Sequence, residues 1–259
     1  MRYQIPGWEE LTLQQKEYLY HLSEAAKYGR DILWDQNFKH NLEIRHILED
    51  ILNKYEGDRE CAEFKQFEIY AKRVFFSNGI HHHYGEEKFI PECNIDYFGS
   101  LVKSSGITCE NIDVLLEIIY SEDQFTHKRY TGTEKDILLT SASNYYSNVT
   151  KEEALKFYAA QEEKNDPRPI SYGLNSRLVK KNGKIYEEVY KIGGLYSEAI
   201  SKIVEELEAA QKVAENDVQR EYTAKLISYY KTGDLRTWDE YNVAWVEDTE
   251  SYIDFVNGF

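Results

Sequence analysis

Three amphipathic stretches with helical spacing follow one another at the start of the chain, and nothing in it limits the fold more. Residues 12–29, "TLQQKEYLYHLSEAAKYG", carry Leu13, Tyr18, Leu19, Leu22, Ala25 and Ala26 at helical intervals, with Thr12 and Gln15 spaced as a capping box and Gly29 as a stop. The next, "FKHNLEIRHILEDILNKYEG", repeats the pattern through Leu42, Ile44, Ile47, Leu48, Ile51 and Leu52 and ends at Gly57. In the third, residues 60–76, Phe64, Phe67 and Tyr70 or Ala71 share a face. Stripes of this kind must bury against one another, so the first seventy-five residues are expected to form a helical unit.

After this unit the pattern changes. Residues 77–92 are rich in Gly, His and Glu and read as a loop, with an extended exit before Pro91. Two short helices fit 94–120, while 121–149 mixes turn residues with short apolar runs and supports no assignment. Thr150 and Glu153 form a second capping box, opening a helix over "KEEALKFYAAQEEK" that ends before Pro167. In "SRLVKKNGKIYEEVYKI", Asn182-Gly183 separates two alternating segments, the signature of a hairpin with a type I′ turn. Helices are expected over 195–215 and 218–231, the latter stopped by Gly233, and apolar alternation around Val243, Trp245 and Val246 suggests one or two closing strands. The class is therefore α+β, within one lobe over 1–259: mainly helical over 1–120, then mixed helix and antiparallel strand over 121–259, with the hairpin around 176–191. The abrupt apolar end at Phe259 is expected of a fragment.

Charge narrows the partners. With 46 acidic against 31 basic residues the net charge is −15, which leaves no Lys/Arg excess for duplex nucleic acid or for an anionic membrane surface. No run of eighteen apolar residues and no secretory h-region occurs, so a soluble protein is expected, cytoplasmic rather than exported. Cys61, Cys93 and Cys109 are an odd set without a C-x-x-C pair and read as free thiols.

The residues that carry chemistry are His81, His82 and His83. On an extended segment His81 and His83 project to one side, about 7 Å apart at Cα. With an oxygen from Glu86 or Glu87 they suit a metal; equally, the run suits a polar loop facing a substrate, or a plain solvated loop. H-x-x-E occurs as His21/Glu24, His40/Glu43 and His46/Glu49, but without the H-E-x-x-H spacing that puts two ligands and a base on one helical face; these read as helix-surface contacts. There is no nucleophile elbow, P-loop or G-x-G-x-x-G, and Gly193-Gly194 ahead of a helix reads as a turn.

Four segments in order carry a family likeness: "LTLQQKEYLYHLSEAAKYGRDILWDQN", "RVFFSNGIHHHYGEEKFIP", "YGLNSRLVKKNGKIYEEVYKIGG" and "YYKTGDLRTWDEYNVAWVEDTESYIDFVNGF". Together they resemble the N-terminal portion of the dipeptidyl peptidase III family, its Bacteroidetes-type members in particular. The resemblance implies a zinc exopeptidase that releases dipeptides from the N-termini of short peptides, built as two lobes around a wide cleft. It implies that this chain supplies most of the lobe without zinc, a partial β-barrel-like lobe surrounded by helices. The family's H-E-x-x-G-H or H-E-x-x-x-H motif is absent here, so no cofactor is expected in this chain and the missing C-terminal zinc lobe is its implied partner. Nor does the sequence reach the Glu and Tyr that in the family follow a pair like Gly258-Phe259 and hold the substrate amine. What carries over is the loop after the third helix. Tyr84 before Gly85-Glu86 matches an aromatic at the edge of the subsite for the peptide's second residue, His83 lines the same wall, and Asn78 and His81 are grouped with them as substrate-binding. A standalone peptide-binding module that kept the lobe and lost catalysis is the alternative, and a small metalloprotein using His81 and His83 is a third.

Overall fold

Both halves of the first capping box close in the computed structural model, which describes residues 4–162 and 165–258. Thr12 N–H donates to Gln15 Oε1 at 2.9 Å, and Gln15 N–H donates to Thr12 Oγ1 at 3.2 Å. From this cap α1 runs Leu13–Asn37, straight through Gly29. The expected stop fails because buried positions continue beyond it: Ile32, Trp34 and Gln36 are each at most 4 % exposed. That burial outweighs the ~1 kcal/mol that a mid-helix glycine costs. Helices α2 (Asn41–Lys54) and α3 (Ala62–Ser77) lie where the periodicity puts them. Helices α4 (Ile95–Ser104) and α5 (Ile112–Tyr120) are the two short helices expected over 94–120.

The unassigned region holds a single turn of helix, α6 (Ile137–Thr140), and a two-residue strand, β1 (Tyr146–Ser147). The second capping box forms as the first does, with Thr150 N–H on Glu153 Oε2 at 3.1 Å and Glu153 N–H on Thr150 Oγ1 at 3.2 Å. It opens α7 (Lys151–Ala159), shorter than expected; Glu163 and Lys164 of the predicted helix lie outside the described residues. Strands β2 (Ser176–Lys181) and β3 (Lys184–Val189) form the hairpin. Asn182 at φ 53° and Gly183 at φ 77° are the two left-handed residues that a type I′ turn requires. The described strands make one three-stranded sheet in the order β1-β2-β3, open rather than closed into a barrel.

Helices α8 (Ser197–Lys212) and α9 (Asp217–Thr232) follow, and Gly233 at φ 71° ends α9. The last segment corrects the sequence expectation: Leu235–Glu247 is a helix, α10, and not a strand. Asp234 caps it, accepting from the N–H groups of Arg236 and Thr237. Its inward stripe is Leu235, Trp238, Tyr241 and Ala244 at intervals of three, whereas Val243 and Val246, which shaped the alternation, are 62 % and 68 % exposed. Phe259, the expected fragment end, lies outside the described residues.

The chain divides into two compact units. One takes in the chain before Leu33, Lys156–Leu178 and the chain from Ile185 onward; its main core is built from α8, α9 and α10 around Ile200, Val204, Leu207, Tyr222 and Leu226. The other is Leu33–Leu155 with Val179–Lys184, and its core joins Trp34, Leu48, Phe67, Val74, Phe98 and Leu115 from α1 to α5. The histidine run belongs to this second unit.

Candidate functional site

The site grows from the C-terminus of α3. Asn78 takes a left-handed conformation there, φ 52° and ψ 44°, and Gly79 N–H returns to Val74 O at 3.1 Å, so the helix stops and the chain turns. Asn41, fully buried, receives the exit: its Oδ1 accepts from Ile80 N–H at 3.1 Å while its Nδ2 donates to Trp34 O at 3.0 Å.

Beyond Ile80 the chain doubles back. His82 N–H donates to Glu87 O at 2.8 Å and Phe89 N–H to Ile80 O at 2.8 Å, pairing 80–82 with 87–89. Lys88 N–H donates to Thr126 O at 2.9 Å and Lys128 N–H to Glu86 O at 2.8 Å; Ala142 and Ser143 N–H then donate to His127 O and Lys128 O at 3.2 and 3.0 Å. Four extended segments thus lie side by side, too short to count as strands but bonded like a small sheet. The 83–86 turn is its projecting tip.

Residues 81–83 do not point one way. His81 is 2 % exposed, meets Phe38 edge-on at 5.8 Å, and donates from Nε2 to Phe125 O at 2.7 Å. Burial, helped by the charges of Lys88 and Lys128, pushes its pKa down to about 4, so the ring is neutral. Across the ladder Lys88, 9 % exposed, donates from Nζ to Ile118 O and Gln124 O, each at 2.7 Å, and burial lowers its pKa to about 8. The Ile118 carbonyl is in the last turn of α5, the negative end of that helix and a suitable seat for an ammonium group.

His83 and Tyr84 face solvent instead. Tyr84 is 85 % exposed, and its ring lies 4.6 Å from that of His83. His83 meets His82 at 4.6 Å in a stacked pair and Phe76 at 5.0 Å edge-on, with its Nδ1 3.3 Å from Ser77 Oγ. Phe76 is itself 76 % exposed. Four rings, Phe76, His82, His83 and Tyr84, therefore make an aromatic ledge at the tip. Asn78 shares the exposed exit from α3 and His81 does not. Sequence reasoning left Phe76 and His82 out of the substrate-binding set. For Phe76 a signal existed: it falls off the buried stripe of α3, Phe64, Phe67, Tyr70, Ala71 and Val74.

A charged pair braces the turn. Glu86, at φ 66°, accepts from Arg129 Nε at 2.8 and 2.9 Å, and that hydrogen-bonded guanidinium holds its carboxyl below the usual range. Beside Phe38 and Phe125 opens a pocket of ≈ 200 Å³ lined also by Leu138, Ser143 and Asn144.

Among the described residues no three His, Cys, Asp or Glu side chains group to hold a metal ion. Of the H-x-x-E pairs, His46 stands 3.8 Å from Glu49, whereas His21 binds Glu206 of α8 at 2.8 Å rather than Glu24. The three cysteines are free, as expected, and burial holds the Cys93 and Cys109 thiols above their ordinary pKa. No described helix is long and apolar enough to cross a membrane.

Comparison with known proteins gives one consistent result. The model of peptidase family M49 matches residues 119–259, more than half of the chain. Human dipeptidyl peptidase 3 is 24 % identical over 304 aligned residues, covering 96 % of this chain and 40 % of the human protein; the mouse protein is 23 % identical over the same shares. Among solved structures, that of DPP III from Caldithrix abyssi superposes with a TM-score of 0.57 at 16 % identity, over 96 % of this chain and 35 % of that one. Dipeptidyl-peptidase III from a Corallococcus strain gives the same TM-score at 12 % identity. The chain spans about 40 % of the length of the curated relatives it matches.

Proposed function

Because the chain belongs to peptidase family M49, we propose that it is the lobe without zinc of a dipeptidyl peptidase III homologue, supplying part of the peptide-binding cleft and inactive alone. The observation that carries this reading is the aromatic ledge, with Phe76 and Tyr84 left in water at the tip of a hydrogen-bonded ladder. Large exposed aromatics with a polar edge are what a protein uses to grip peptides of varied sequence, because contact area is gained with few rotatable bonds. Tyr84 and His83 are the proposed contacts, Phe76 extends their surface, and Asn78 borders it. His81 acts from beneath, tying the ladder to Phe125. Short peptides with a free amine are the proposed ligands, and the net charge of −15 favours that cationic end.

Zinc finds no ligand set among the described residues, so we assign it to the part of the relatives that this chain does not span. No step of peptide hydrolysis falls to residues here. That missing part is the proposed partner, with the cleft completed between them.

The purified chain incubated with a dipeptidyl arylamide, with and without added zinc, tests inactivity. No chromophore release is expected under either condition. Release that scales with zinc would overturn the assignment.

A further inference from the structure

We propose that His82, the middle histidine, is the positioning residue of the aromatic ledge: its ring and backbone together hold Tyr84 in place. The inference rests, for its functional meaning, on the reading of Tyr84 as a peptide contact. Three successive backbone N–H groups end on this one residue. Tyr84 and Gly85 N–H donate to His82 Nδ1 at 3.2 and 2.9 Å, and Glu86 N–H donates to His82 O at 3.0 Å. The N–H of His82 in turn donates to Glu87 O at 2.8 Å, so His82 anchors the turn on both sides.

A tight turn leaves backbone donors that need partners, and here the partner is an imidazole rather than the Asn, Asp or Ser usual in turns. A ring can do what those side chains do not. It stacks on His83 at 4.6 Å and 24°, and meets Phe89 edge-on at 5.9 Å and 75°, so the group that accepts the two N–H bonds also seats the neighbouring ring of the ledge. Because Nδ1 accepts, the proton of the neutral ring sits on Nε2. Tyr84, 85 % exposed, has little other packing to fix it.

The test uses the full 259-residue chain, labelled with ¹⁵N. Long-range ¹⁵N–¹H correlations are expected to show His82 as the Nε2–H tautomer; the Nδ1–H tautomer would overturn the proposal. Amide exchange is then read for wild type, His82→Ala and His82→Asn. Losing one hydrogen bond of ordinary net worth corresponds to roughly five- to tenfold faster exchange, expected at Tyr84 and Gly85 in His82→Ala with the melting temperature lowered by only about 2–4 °C. His82→Asn, whose side chain accepts from the same two positions, restores protection. Unchanged exchange in His82→Ala, or no rescue by Asn, refutes the positioning role.

Affinity for the tetrapeptide Ala-Phe-Ala-Ala separates this inference from the functional reading. Weakening by both Tyr84→Ala and His82→Ala, with rescue by His82→Asn, supports both. Weakening by Tyr84→Ala alone refutes the positioning role. If neither variant changes affinity while exchange responds as stated, the turn is held by His82 but the ledge is not the peptide site.

Discussion

His81 makes this fold sensitive to mild acid. Its ring is 2 % exposed and its pKa falls from an ordinary 6.5 to about 4. The unfolded chain therefore binds a proton on this residue throughout the interval between those values, while the folded chain does not. The sign follows: the neutral ring's contribution is fully present above pH 6.5 and is lost as the pH falls toward 4. Linkage between these two values gives a loss of about 2 kcal/mol on going from pH 8 to pH 5. The comparison is between wild type and His81→Gln, which keeps an amide donor for Phe125 O and does not titrate. Burial also lowers His40, and hydrogen bonds from Arg129 and from Thr237 lower Glu86 and Asp234 respectively, but these groups are common to both proteins and cancel in the difference. Urea unfolding at pH 8 and pH 5 should show wild type losing about 2 kcal/mol more than the variant. Equal losses in the two proteins, or a His81 proton resonance titrating near 6.5, would refute the reasoning.

Gly79, at φ 147°, stands so close to the buried Asn41 amide that a methyl group there would collide with it; Gly79→Ala should cost about 2–4 kcal/mol by urea titration. Asn78→Gly should leave stability within about 0.5 kcal/mol, since glycine accepts the left-handed cap, whereas Asn78→Val should cost about 1–2 kcal/mol. Asp234→Ala removes the cap of α10 and should cost about 1 kcal/mol; a neutral result would argue for the strand over the helix in this segment. Tyr84→Ala, at an exposed tip, should change stability by less than about 0.5 kcal/mol, so that any loss of peptide binding cannot be blamed on unfolding.

Local chemistry was readable from the sequence wherever one short segment decides the outcome. Thr12 with Gln15, Thr150 with Glu153, and Asn182-Gly183 each contain all the partners they need, and each forms as read. Gly29 and α10 misled for opposite reasons. At Gly29 the deciding fact is burial of residues further along the helix, while at Val243 and Val246 two exposed valines mimicked a strand's alternation and hid the stripe from Leu235 to Ala244. The ladder beneath the histidines was out of reach, because its bonds join residues 80–89 to 126–128 and 142–143. The three histidines therefore looked alike in sequence. Tertiary pairing with Phe125 buries His81, while His82 is told apart by bonds within its own turn and His83 is left exposed.

The most direct test of the central claim is calorimetric titration of the purified chain with Ala-Phe-Ala-Ala bearing a free amine, beside a Phe76→Ala/Tyr84→Ala double variant. The account predicts saturable one-to-one binding by wild type, weakened about tenfold or more in the variant, as expected when exposed aromatic contacts carry the affinity. Equal affinity in both proteins would contradict it and move the peptide site elsewhere on the chain.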